Sequence, residues 1–203
     1  ARNEARGGNG GSEDTGTAGD GGDGAGGAIF NHDGTLTLIH VSIQENDVFP
    51  GADGGGSGGA FGAAFGSGVY NYGSSADLTI ENTLIAQNAG AIFDVNNDAN
   101  VTTAPTSTGN NAIGNTNVAA LVTNAPTSIT GVSALTTNAP FHFPLQATST
   151  LIDAADGSIS NLPTVDQRGL NRSSESTLGG PTDPDIGAFE YNLNSPPVIT
   201  FPS

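Results

Sequence analysis

Apolar and polar positions alternate in short runs rather than in helical stripes. Between Thr35 and Ile43, Leu36 and Leu38 share one face, and Val41 and Ile43 share another after a corner. A period of two marks strands with one buried face. The pattern returns with Leu78, Ile80 and Ile85. Helical spacing is nowhere sustained, and the Gly, Asn, Asp and Thr content disfavours helices. Short strands separated by corners are therefore predicted.

The unit from Gly27 to Asn46 recurs in parts. Its opening, Ala28-Ile29-Phe30-Asn31, returns as Gly68-Val69-Tyr70-Asn71, as Ala91-Ile92-Phe93-Asp94 and, more weakly, as Ala112-Ile113-Gly114-Asn115. Leu36-Thr37-Leu38 returns as Leu78-Thr79-Ile80 and as Val101-Thr102-Thr103, and Val41-Ser42-Ile43 returns as Thr83-Leu84-Ile85. Asn46, Asn88 and Asn111 close the copies. This predicts an all-β parallel solenoid with coils of about 21–23 residues, the first interval being lengthened by an insert. Asparagine tolerates the left-handed conformation a corner requires, and its amide can bond to the Asn of the next coil. The three closing asparagines are read as a structural corner ladder.

Composition sets the boundaries. Residues 1–26 are rich in Gly and Asp and read either as a solvated tail or as an irregular first coil. Residues 27–140 hold the coils, with a glycine-rich insert over 50–67 whose Phe61 and Phe65 predict that it folds back against the solenoid wall. Regularity fades after Asn115, where one or two looser coils are expected before an irregular C-terminal cap over 141–191. Residues 192–203 read as a proline-stiffened linker entering a strand, Val198-Ile199-Thr200-Phe201. Both ends look cut from longer sequence.

The chain has 203 residues, 31 of them glycine, no tryptophan and no cysteine. A solenoid needs only a core one side chain wide, because each coil covers its neighbour. Four basic residues, all arginine, face 20 carboxylates, for a formal net charge of −16. Nucleic acid and anionic membranes bind through basic residues, so neither is an expected partner. No apolar run is long enough to span a bilayer, and no membrane insertion is expected. Lack of cysteine excludes disulfides and thiolate chemistry, and is compatible with an extracellular setting.

The Gly-Gly-Ala-Ile-x-Asn opening at 26–31 and the segment Gly109 to Asn115 resemble bacterial right-handed parallel β-helix surface proteins. Ser149 to Ala154, then Asp166-Gln167-Arg168-Gly169 with Arg172, then Asp185-Ile186-Gly187-Ala188-Phe189-Glu190, resemble the choice-of-anchor Q domain family over about residues 26–191. Thr150 and Ala155 stand where that family usually has proline and glycine. The resemblance implies a right-handed β-helix near the C-terminal end of a secreted or surface-attached protein. It implies little chemistry.

Asp153, Asp166, Asp185 and Glu190, with Arg168 and Arg172, could serve a glycosidase or polysaccharide lyase, since paired carboxylates are what such enzymes use. The favoured reading is a structural cap in which a bidentate Arg168, holding Asp153, Asp166 or Asp185, pins cap loops onto the last coil, because an open solenoid end exposes unpaired strand edges. Asp94, Asn96 and Asp98 alternate like the start of a calcium loop, but Ala99 and Pro105 occupy the positions of the required Gly and Glu, so only a looser calcium site is a candidate. His32, His40 and His142 lack metal-ligand spacing and are expected to face solvent. No nucleophile elbow or phosphate loop is present. The expected function is a non-enzymatic structural or adhesive module, self-associating through its terminal strand or contacting other surface components. Carbohydrate is a further candidate partner.

Overall fold

The computed structural model describes residues 1–14, 16–122, 126, 128–172 and 183–192. Three sheets are visited in the same order three times. The first rung comprises β3 (Ile29–His32), β4 (Thr35–Ile39) and β5 (Ser42–Ile43); the second, β8 (Val69–Tyr72), β9 (Asp77–Glu81) and β10 (Leu84–Ile85); the third, β11 (Val95–Asn97), β12 (Thr106–Thr108) and β13 (Ala112–Ile113). The sheets run β3-β8-β11, β4-β9-β12 and β5-β10-β13, with every strand pairing parallel. The chain is thus all-β and solenoid-like.

Alternation along the strands builds the core. Ile29, Val69 and Val95 stack on one wall, Leu36 on Leu78 and Leu38 on Ile80 on the second, and Ile85 bonds in register with Ile43 and Ile113 on the third. In the third rung Ser107 lies opposite Ile80, so the apolar column on that wall stops there. A 3-10 turn at Ala119–Val122 then closes this end, burying Leu121 against the core. That turn and irregular chain stand where looser coils were expected.

The first interval between rungs is lengthened as expected, whereas the second differs from the expected 21–23 residues. Asn31 meets Asn71 across 40 residues and Asn46 meets Asn88 across 42, whereas Asn71 meets Asn97 across 26 and Thr83 meets Asn111 across 28. Val95-Asn96-Asn97, rather than Ile92-Phe93-Asp94, lies under Val69-Tyr70-Asn71, and Ile92 is 78% exposed. Thr106-Ser107-Thr108 takes the place expected for Val101-Thr102-Thr103. Ala112-Ile113 stacks under Leu84-Ile85 and opens no further coil. The physical reason lies in side-chain parity: this register sends Val95 into the core and gives Asn71 an amide partner in Asn97, where a one-residue slip would turn each side chain to the other face.

The corners also differ in detail. Left-handed backbone falls at His40 (φ 49°), Asn82 (φ 45°) and Gly109 (φ 68°), stacked in one column, and at Glu45 (φ 54°) and Gln87 (φ 60°) in another. Asn46, Asn88 and Asn111 are therefore not the left-handed residues. The residue before Asn46 and before Asn88 makes the turn, leaving the amide free to bond.

The N-terminal segment is ordered and packs against the insert. β1 (Glu4–Arg6) pairs with β6 (Asp47–Phe49), and β2 (Gly24–Ala25) with β7 (Ala64–Phe65). Between them, extended glycine runs bond at every third residue: Gly7 and Gly10 donate to the carbonyls of Phe49 and Ala52, and Gly21 and Gly24 to those of Ala60 and Ala63. A period of three belongs to extended left-handed chain, whose backbone groups all point outward. Each Ala is gripped twice, since the Ala52, Ala60 and Ala63 N–H groups donate to the side chains of Asn9, Asp20 and Asp23. A Cβ at Gly51 would collide with the carbonyl of Gly8, so glycine is required by close approach. Phe65 folds back as expected, but Phe61 is 70% exposed.

The C-terminal region lies along the flank of the stack rather than over its end. Leu84 and Ala112, on the outer face of β10 and β13, pack with Leu145, Leu151, Ala155, Ile186 and Phe189. Ser42 of the first rung accepts the Ala188 N–H, Asn82 of the second accepts that of Gly187, and Asn110 of the third donates to Ala154. One segment thus straps all three rungs. The boundary placed at residue 140 falls inside an antiparallel loop, where Ser133 and Thr136 donate to Pro144 and His142.

Candidate functional site

Two amide ladders run along the stack. In one, Asn3 donates to Asn46 (2.9 Å), Asn46 to Asn88 (2.8 Å) and Asn88 to Asp94 (2.8 Å). Asn111 is not part of it. That side chain accepts the Thr83 N–H at 2.8 Å and donates to the Ile80 carbonyl at 3.0 Å, one corner away. Asp94 takes the expected place because the chain runs from Asn88 to β11 without the insert found in the first rung. The second ladder, absent from the sequence reading, joins Asn31 to Asn71 (2.6 Å) and Asn71 to Asn97 (2.8 Å). The Asn at the fourth position of Ala-Ile-Phe-Asn and of Gly-Val-Tyr-Asn was its visible signal.

The carboxylates and arginines of the C-terminal motifs converge, and they are largely used up in binding one another. Buried Asp166 accepts the N–H groups of Arg168 (2.8 Å) and Leu170 (3.0 Å) through one oxygen, and Arg168 Nε (2.7 Å) and the Glu190 N–H (3.1 Å) through the other. Arg168 also donates to the Glu190 carbonyl and lies 3.7 Å above the Phe189 ring. Burial alone would raise Asp166, but the Arg168 guanidinium and these N–H donors outweigh it and hold its carboxyl below the usual range. Arg172 reaches Glu190 at 3.4 Å and the Val165 carbonyl at 3.3 Å. Asp185 accepts the backbone N–H groups of Asp153 and Tyr191. Thus Arg168 holds Asp166 alone, while Asp153 meets Asp185 through its backbone. Asp166-Gln167-Arg168-Gly169 and Asp185 to Glu190 form one hydrogen-bonded lock, completed by Gln167 N–H to the Ala188 carbonyl.

Burial, and then the Asp185 carboxylate, push Glu190 up to about 8; burial pushes Asp185 up to about 6. His40 is buried beside this lock rather than solvent-facing, and its imidazole is held down to about 4 by burial and then by Arg172. It contacts the Asn82 amide at 3.1 Å. His142 stacks on Phe189 at 5.2 Å, and His32 stays exposed near Asp33.

The three calcium candidates do not converge. Asp94 is buried and bonded to Asn88, Asn96 accepts from Asn117, and Asp98 accepts the Tyr70 hydroxyl at 2.9 Å. No set of three acidic or histidine side chains among the described residues is arranged to hold a metal. No helix among the described residues is long and apolar enough to cross a membrane. The strand Val198-Ile199-Thr200-Phe201 lies outside the described residues.

A site the sequence reading missed lies on the outer face of β3 and β8. Phe30 and Tyr70 sit in register with rings 5.7 Å apart, and His32 and Tyr72 follow at 5.1 Å. Phe65 adds a ring 5.2 Å from Tyr70 on the other side. With Asp23 and Ala25, the rings of Phe30, Phe65, Tyr70 and Tyr72 line a cavity of about 200 Å³. Phe30 and Tyr70 are each three positions into a repeated opening, where alternation forces them outward. Only the fold brings Asp23 and Phe65 beside them.

Comparison with protein-family models, with curated proteins and with solved structures finds no match to this chain.

Proposed function

We propose that this chain is a non-enzymatic structural or adhesive module, a right-handed parallel β-helix of choice-of-anchor Q type belonging to a secreted or cell-surface protein, that assembles end to end. The observation carrying this reading is the asymmetry of the stack. One end is closed by Leu121. At the other, β3 and β4 are edge strands, and among the described residues no strand pairs with their outer sides. β4 reads Thr-Leu-Thr-Leu-Ile, without the lysine, proline or bulge that proteins use to blunt an edge. An apolar strand such as Val198 to Phe201 of a second copy could extend these sheets by parallel addition. Such a head-to-tail contact does not close on itself and leads to filaments. The mutual lock of the two C-terminal motifs supports the family resemblance, because it supplies a structural reason for their occurring together.

The test is size by light scattering, with electron micrographs, for the full chain, a chain ending at 191, and Thr37→Lys. Filaments from the full chain alone are expected. An unchanged assembly in the shortened chain, or single particles throughout, would refute the proposal.

The enzymatic alternative, a polysaccharide lyase or glycoside hydrolase, draws on a cavity of about 370 Å³ lined partly by Thr164, Asn171, Arg172 and Asp183. Arg172 is buried and committed to Glu190 and Val165, which favours the structural role. Turnover of any acidic or neutral polysaccharide in a screen, abolished by Arg172→Gln in a chain that still folds, would reverse that preference.

A further inference from the structure

The chain's four arginines are all spoken for. Arg2 pairs with Glu45, Arg6 with Glu4, Arg168 with Asp166 and Arg172 with Glu190. Two of them also cover an aromatic ring: Arg6 lies 4.2 Å above Phe49 and Arg168 lies 3.7 Å above Phe189. Ring, carboxylate and guanidinium therefore form a unit that this molecule uses twice. At the cavity on β3 and β8 the first two components recur without the third.

That cavity combines the rings of Phe30, Phe65, Tyr70 and Tyr72 with the carboxylate of Asp23, and Asp98 is bonded to the Tyr70 hydroxyl just behind. Cross-strand pairing accounts for Phe30 against Tyr70 and for His32 against Tyr72. It does not account for Phe65, which comes from the insert strand, or for Asp23, which comes from the N-terminal glycine segment. Three separate parts of the chain meet here, and Phe30 remains 50% exposed. Tyr70 is itself buried, with Phe30 and Phe65 stacked on it, so the open ring surface is that of Phe30, Phe65 and Tyr72, and this surface and the neighbouring carboxylates favour the same charge. Burial first, and then Asp98 and Asp23 among its neighbours, raise the Tyr70 phenol, a sign of the negative potential at this spot. The charge of −16 on the whole chain concentrates cations around it.

We infer that the pocket formed by Phe30, Phe65, Tyr70, Tyr72 and Asp23 binds an organic cation, an ammonium or guanidinium head group supplied from outside the chain. A cavity of about 200 Å³ accommodates one such head group. The inference does not depend on end-to-end assembly, because the pocket is on the side wall.

Binding is read by NMR shifts of the Tyr72 and Phe30 ring protons during titration, on the full-length chain carrying Thr37→Lys, which is expected to stay unassembled. The probes are tetramethylammonium chloride, its neutral isostere neopentane-like tert-butanol, a neutral gluco-oligosaccharide and a short arginine peptide, all at fixed ionic strength. Saturable shifts with tetramethylammonium or the peptide, and none with the neutral probes, are expected. Phe30→Ala and Asp23→Asn should each weaken binding by about tenfold, the scale of a single cation–ring contact. Asn retains the oxygen that accepts the Ala63 N–H, so folding is preserved. Tighter binding of the peptide would identify the source as a partner's basic side chain, and equal binding a free small cation. Equal shifts with tert-butanol, a response to the oligosaccharide alone, or no saturable response to either cation would overturn the inference.

Discussion

At the scale of single residues, the unusual groups are the carboxylates that the flank has taken out of water. Glu190 titrates at about 8 in the fold against 4.5 when free, and Asp185 at about 6 against 3.8. A folded value above the unfolded one means that the unfolded chain releases its proton first. The stability these groups contribute is complete below their free values and is lost as pH rises through about 6 and then about 8. His40 acts oppositely: its folded value lies at about 4 against 6.5, so its contribution is present above 6.5 and lost as pH falls through about 4. Above 6.5 only the carboxylates remain in play. The melting temperature should fall between about pH 6.5 and pH 8, and Glu190→Gln should remove most of that fall. A thermal melt series at constant ionic strength measures both.

Among the elements, the glycine bundle is the one whose stability owes least to apolar burial. Its strands approach until backbone touches backbone, which only hydrogen at Cα permits. Gly51 and Gly8 make a controlled pair. A Cβ at Gly51 meets the Gly8 carbonyl, whereas one at Gly8 meets nothing within 4 Å. Gly51→Ala should destabilise by about 1–3 kcal/mol, as overpacking does, and Gly8→Ala by well under 1 kcal/mol. Urea titrations of the two variants give the comparison. The sequence left this segment open between tail and irregular coil because glycine content alone describes either. The deciding signal was the spacing of three between Asp20 and Asp23 and between Ala60 and Ala63, which pairs them residue for residue.

For the whole molecule, the C-terminal strap is what ties the three rungs together on one side. Its anchor is Asp166, whose side chain is fully buried and whose counter-charge is Arg168. Removing that partner leaves a buried charge held by backbone N–H groups alone, so Arg168→Ala should cost about 3 kcal/mol. Hydrogen exchange locates the damage. Amides of Ile186 and Gly187 are expected to lose protection, while Ile80, inside the stack, keeps most of its own. Uniform loss across both would mean that strap and stack unfold as one unit.

Alternation at Leu36, Leu38, Leu78 and Ile80 was enough to specify strands with one buried face, since period two leaves a strand little choice of which side to bury, and the recurrence of the unit made their stacking parallel. For Arg168 the sequence left Asp153, Asp166 and Asp185 open as partners, and the structure pairs it with Asp166, two residues away. Register was another matter. Ala91-Ile92-Phe93-Asp94 imitates a rung opening, and only the demand for a buried Val95 and a partner for Asn71 moves the strand three residues on. Tertiary structure alone decided that Asp94 ends the Asn46 ladder, that the C-terminal motifs flank the stack, and that Asp23 and Phe65 reach the rings of Phe30 and Tyr70. The strap and the ring pocket join residues far apart in the chain, and Asp94, only six residues from Asn88, is placed by the register of β11; no local period constrains any of them, and packing makes the choice.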